Sequence, residues 1–107
     1  MGTFTSTRGN QASLEAALFE GLAQDGGLYM PDPMPRVRPL SEHGSKPAFL
    51  SVACKAASDL LAHALPPEIT ASVVAASMTF PVPLLEVDPG VHVLELFHGP
   101  THAFKDF

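Results

Sequence analysis

The sequence predicts an α+β domain, with two or three helices against a few mostly antiparallel strands. Three observations support this. Residues 49–64 place apolar side chains at alternating spacings of three and four, which marks one packed helix face. Residues 84–97 read as two extended runs around Asp88-Pro89-Gly90, a hairpin pattern. Eleven prolines in 107 residues divide the remainder into short segments and turns.

The elements follow in order. Thr3 to Thr7 (TFTST) is β-branched and aromatic and predicts a short strand; Arg8-Gly9-Asn10 reads as a turn. Ser13 is a suitable N-cap for a first helix. Leu14, Ala17, Leu18, Gly21 and Leu22 share its inner face, and Asp25-Gly26-Gly27 is expected to stop it. Leu28-Tyr29-Met30 is a brief extended stretch. Pro31 to Pro39 contains four prolines, which exclude a helix and predict a surface connection. Pro47 suits the first turn of the second helix. Phe49, Val52, Ala53, Ala56, Ala57, Leu60, Leu61 and Ala64 form its face, and Pro66-Pro67 ends it. The many alanines allow a neighbour to approach closely. A third, weaker helix is expected over residues 68–77, with Ile69, Val73 and Ala76 inward. Leu84 to Val87 and Val91 to Phe97 are the hairpin strands. Gly99-Pro100 then breaks the chain, and Thr101 can cap a helix beginning near His102.

Composition narrows the function. Hydrophobic residues make up 46 % and charged residues 16 %, a globular rather than a disordered profile. Six basic against eleven acidic residues give a net charge of -5. That balance cannot build a phosphate-tracking stripe, so no nucleic-acid partner is expected. No apolar run reaches the roughly 18 residues of a membrane span. The polar N-terminus lacks the apolar stretch of a secretory signal, although Gly2 and Ser6 satisfy the loose myristoylation pattern. A cytoplasmic protein without membrane partners is expected. Cys54, the single cysteine, makes no internal disulfide and reads as a small packing residue.

The chemistry-bearing residues gather near the C-terminal end. His92, His98 and His102 stand six and four apart, which raises the question of a zinc module. Gly99 and Pro100 interrupt any continuous helix between the last two, and a loop histidine beside a polar site is the plainer reading. Lys105 has apolar neighbours in Ala103, Phe104 and Phe107. A helix N-terminus and partial burial would both favour its neutral amine. Such an amine can attack an aldehyde and form an imine. A solvated surface lysine is the competing reading.

Leu94 to Phe107, LELFHGPTHAFKDF, closely resembles the cofactor-lysine segment of threonine synthases. These are pyridoxal-phosphate (PLP) enzymes of the tryptophan-synthase β-like fold. Ser6-Thr7-Arg8-Gly9 resembles the family's STRG. Residues 21–31, GLAQDGGLYMP, resemble its GLAPDGGLYVP. All three segments occur in the family's order, while residues 32–80 match in pattern only. His102 departs from the family, which often has leucine there.

The resemblance implies that Lys105 holds PLP as a Schiff base and moves protons at the substrate carbons. The implied reaction converts O-phosphohomoserine and water to L-threonine and phosphate. His98 and Thr101 are candidate site-lining residues, with a turn contact or a cap as their alternatives. Asp106 is expected on the outer helix face or in a local pair, Arg8 in a structural ion pair, and Tyr29 in packing. Family members are several times longer, with the phosphate-cradling loop after the lysine helix. Residues 1–93 are therefore expected to form the N-terminal domain, and 94–107 the start of a truncated catalytic domain. The chain's main partner would be the remaining catalytic domains of the same polypeptide, and the piece alone would be inactive. The other reading is a free-standing, non-catalytic interaction module. Uncovered apolar faces would discriminate, since a piece should carry them.

Overall fold

Thr3–Ser6 forms strand β1 in the computed structural model, which describes residues 3–37 and 48–107. The Arg8-Gly9-Asn10 turn reverses the chain into β2, Gln11–Ser13. A three-residue strand was not apparent in the sequence. It exists because β1 offers it a partner, with Phe4 opposite Ala12. β3, Tyr29–Asp32, pairs antiparallel on the other side of β1, giving the order β2-β1-β3.

Ser13 caps α1, Leu14–Glu20, by accepting the Ala16 N–H at 3.2 Å. The helix ends earlier than its apolar pattern suggested. Gly21 takes φ +71° and donates its N–H to the Ala17 carbonyl. That positive φ is one which glycine adopts at little cost. The expected stop at Asp25-Gly26-Gly27 is instead a separate turn, and Leu18 and Leu22 remain exposed.

That turn is the junction of the N-terminal unit. The Asp25 carboxylate accepts the Ser6 hydroxyl at 2.6 Å and the Gly27 N–H at 2.8 Å. It also receives the Asn10 N–H at 3.3 Å. These bonds, the Ser6 hydroxyl foremost, hold its pKa below the ordinary aspartate value, with the Arg8 charge adding to them. Arg8 donates to the Asp25 backbone carbonyl at 2.8 Å and makes no ion pair among the described residues, which corrects the expected structural ion pair. Tyr29 does more than pack: its hydroxyl donates to Glu20 at 2.9 Å. Burial and the Glu20 carboxylate raise its pKa.

α2, Phe49–Leu61, turns Phe49, Ala53, Ala56 and Ala57 of the predicted face toward a cavity shared with Val74, whereas Val52 and Leu60 are exposed and no residue of the helix is fully buried. Its expected proline start at Pro47 lies outside the described residues, and Cys54 is half-buried on it. α3, Pro67–Ser77, packs against α2 but is rotated from expectation. Thr70 and Val74 are buried, whereas Ile69, Val73 and Ala76 are exposed. The correction has a simple cause. Thr70 satisfies its hydroxyl on the Pro66 carbonyl at 3.3 Å, so a polar side chain can face the alanine-rich side of α2 without an unmet bond.

β4, Leu84–Asp88, and β5, Val91–Leu94, form the expected hairpin. Leu84 pairs with Leu94, and a bulge falls between Glu86 and Asp88. β5 is shorter than the predicted run to Phe97. Every residue of both strands is exposed, with leucine or valine on each face. An isolated two-stranded hairpin is marginal, so these faces are uncovered in this chain.

The α+β class is therefore correct. Among the described residues the buried apolar set is only Phe4, Ala23 and Val74. The radius of gyration is 16.3 Å, against about 13 Å for a close-packed domain of this size. Among the described residues no helix is long and apolar enough to cross a membrane.

Ser6→Ala should destabilise the fold by about 1–3 kcal/mol, because it strips the Asp25 cluster of its shared hydroxyl. Ser13→Ala should cost about 1 kcal/mol as a lost cap; urea denaturation checks the ranking. Asp25→Ala tests the linkage. A lowered folded pKa stabilises above the unfolded value of 3.8 and loses that effect as pH falls through the lower folded value. The stability gap between Asp25→Ala and the parent should hold at neutral pH and narrow in acid below 3.8.

Candidate functional site around Lys105

The segment after β5 turns twice before reaching Lys105. Pro100 occupies the second position of a turn closed by the His102 N–H on the Gly99 carbonyl at 3.1 Å, a favourable place for proline. His102 then takes φ +57°, a region that histidine visits more than most residues. The expected helix from His102 does not form, because this reversal interrupts it. A single 3-10 turn, Phe104–Asp106, replaces it, preceded by extended Ala103.

Thr101 is accordingly not a helix cap. Its hydroxyl donates to Asp106 Oδ1 at 2.7 Å and its N–H donates to Oδ2 at 3.0 Å. Of the two readings for Asp106, the local pair is the observed one. The Thr101 hydroxyl is the largest cause of its lowered pKa, helped by backbone N–H groups and the charge of His102 against an opposing desolvation. Gly99 is buried directly beneath this carboxylate. A Cβ there would stand 2.3 Å from Oδ2 and 2.5 Å from the Asp106 Cβ. Such contacts cannot be relieved by the carboxylate tip alone.

His98 lies on the exposed side of the loop. Its Nε2 sits 2.6 Å from Glu95 Oε2, and its ring lies 4.5 Å from that of Phe97. His102 is exposed and places Nδ1 3.3 Å from the Phe97 carbonyl. His92 is on β5 opposite Glu86. Among the described residues no three His, Cys, Asp or Glu side chains converge as a metal site requires.

Lys105 is exposed, which corrects the expected partial burial. This chain surrounds it with too little apolar structure, and a three-residue 3-10 turn replaces the expected helix N-terminus. Its two C-terminal neighbours are anchored. Asp106 is held by Thr101, and Phe107 sits edge-on to Phe80 and Phe49 with centroids 5.0 and 5.6 Å apart. Lys55, by contrast, is tied to Asp59 on α2. Among the described residues Lys105 has no hydrogen-bond or ion-pair partner, so its amine is available for a covalent bond. An apolar cavity of about 270 Å³ runs along α2 beside Ala53, Ala57, Met78 and Phe107, and Lys105 does not line it.

Comparison with known proteins decides the family. Residues 3–78 match the family described as threonine synthase N terminus. The chain belongs to that family. It is 36 % identical over 97 residues to threonine synthase of Haemophilus influenzae, covering 91 % of this chain and 23 % of that protein. The crystal structure of threonine synthase from Escherichia coli superposes with a TM-score of 0.76 at 32 % identity, over 98 % of this chain and 25 % of that one. The PLP-bound threonine synthase from Brucella melitensis gives 0.72 at 32 %, over 99 % and 25 %. The chain thus spans about a quarter of the length of these threonine synthases. The resemblance read from three sequence segments is confirmed, and two of them meet in space: the STRG residues and the DGG turn join through Asp25.

Sequence reasoning undervalued Asp106 and missed the burial of Gly99. The available signal was a glycine and a threonine placed seven and five residues before an aspartate, in a stretch broken by proline. Gly99→Ala should displace Asp106 from Thr101 and release the loop. The expected outcome is faster amide exchange at Thr101 and Asp106, with α2 and α3 unchanged, as read by hydrogen exchange.

Proposed function

We propose that this chain is the N-terminal part of a threonine synthase that converts O-phosphohomoserine and water to L-threonine and phosphate, using PLP. The observation that carries this is Lys105. Among the described residues it is an unpartnered amine between a clasped loop and an anchored phenylalanine, in a chain that matches the threonine synthase N-terminal family and superposes on a PLP-bound threonine synthase. Residues 1–93 would be the N-terminal domain and 94–107 the start of the catalytic domain. The family match ends at residue 78, which supports a distinct C-terminal portion.

The residues present fit the cofactor. Lys105 would hold it through Nζ, the atom that no other described group occupies. PLP, when bound, supplies an electron sink for negative charge developing on substrate carbons. The Nζ amine can accept a proton from one substrate carbon and return one to another, which is general acid–base work. The reaction loses phosphate and gains water, so both proton transfers need a base that reaches along the substrate. A flexible lysine stem on a fixed turn meets that need. His98 and Thr101 would border the same space, Thr101 by shaping the loop and His98 from its exposed side. The cofactor-phosphate and substrate-phosphate contacts, and the cover that would dry Lys105, belong to other parts of the polypeptide. The 107 residues alone would be inactive.

Borohydride reduction of the PLP-loaded protein, followed by peptide mapping, tests this reading. The expected label is a phosphopyridoxyl group on Lys105, with Lys55 unlabelled. A label elsewhere would sink the assignment. Lys105→Ala should lower turnover of O-phosphohomoserine by roughly a thousandfold, and the isolated 107 residues should show none.

A further inference from the structure

We infer that Asp106 is a positioning residue for Lys105, acting through Thr101 and Gly99. The inference rests on the reading of Lys105 given above and assigns the group that aims it. Consecutive residues of a 3-10 turn point about 120° apart. Fixing the Asp106 side chain therefore fixes the direction from which its neighbour departs. Three contacts fix Asp106: the Thr101 hydroxyl at 2.7 Å, the Thr101 N–H at 3.0 Å, and the surface of buried Gly99. The carboxylate remains ionised to below the usual carboxylate range, so the clasp is closed throughout neutral pH.

The bonding suits a carboxylate. Both partners are donors, and both Asp106 oxygens accept. An asparagine could keep both bonds only by turning its NH2 to donate to the Thr101 hydroxyl, and it would replace charge-assisted bonds by weaker neutral ones. A glutamate would be one methylene too long for a space in which Gly99 leaves no slack. The groups around Asp106 are few: His102 is the neighbouring titratable side chain, and its positive form would reinforce the carboxylate. Lys105 itself stays outside this set. The clasp thus orients the lysine without pairing with its amine.

The test uses the full PLP-loaded protein with Asp106→Asn, Thr101→Val and Thr101→Ser. Thr101→Val should lower kcat by about 100-fold, the scale of a misplaced reacting group, and Asp106→Asn, which loses the charge assistance of the clasp, by a smaller factor, with KM for O-phosphohomoserine little changed in either. Both should also move the pH midpoint of the visible band of the lysine-bound cofactor and reduce the borohydride label on Lys105. Thr101→Ser keeps the hydroxyl and should restore all three readouts. Thermal unfolding of each variant separates misaiming from misfolding. Should Asp106→Asn not fold, the Thr101→Val and Thr101→Ser pair decides. Wild-type kcat, pH midpoint and label in a folded Thr101→Val protein would overturn the inference while leaving the Lys105 assignment intact. Absence of label on Lys105 in the unsubstituted protein would overturn the assignment and this inference with it.

Discussion

The N-terminal half of the chain depends on one carboxylate. Asp25 gathers the Ser6 hydroxyl and the Asn10 and Gly27 N–H groups, and so joins the end of β1 to the turn before β3. Apolar burial cannot take its place, because Phe4 and Ala23 are the only buried apolar residues described in that half. Charge-assisted bonds are stronger than neutral ones and more directional than apolar contact. They can define a three-stranded sheet of short strands where a core of ordinary size would otherwise be required. Asp106 repeats the device at the other end, on the Thr101 N–H and hydroxyl. Each aspartate closes a loop that glycine permits to come close.

Shortage of core has a counterpart on the surface. Leu18, Phe19 and Leu22 near α1 are exposed, as are Leu84, Val87 and Leu94 on the hairpin and Phe97 and Phe104 beyond it. One face of the hairpin carries Leu85 opposite Val93, and the other sets Leu84 and Leu94 beside Glu86 and His92; the apolar parts of both call for a covering layer rather than water. Its strands are correctly paired and its turn is correctly made, yet its packing energy is unrealised. Local sequence specifies the element, and a covering surface would stabilise it.

Local determinants are what the sequence made legible. The Ser13 cap, the α2 face, the hairpin and the family's three segments could each be read from a few adjacent residues. The failures share a different cause. β2 depends on a partner strand, the α3 face depends on how Thr70 meets α2, and α1 ends where Gly21 can adopt a positive φ that its helical spacing conceals. At the candidate site Lys105 was legible as a chemical group, whereas its exposure was not. Burial is a property of the whole assembly of elements, and an apolar neighbour in sequence does not guarantee one in space. The link between Thr101 and Asp106 hid behind the more familiar reading of threonine as a cap.

Two requirements that the proposed imine-forming role would place on Lys105 are therefore separable in this chain. Direction would come from the local chain, through the turn at Pro100, the reversal at His102 and the clasp on Asp106. Dryness is not supplied, because Lys105 is exposed. A charged amine is favoured by water and a neutral one by an apolar cover. The same kind of surface that would satisfy the bare hairpin faces would also supply that cover. Folding energy and chemical competence would then arise from one docking event, with the aimed lysine prepared in advance and activated only when water is excluded.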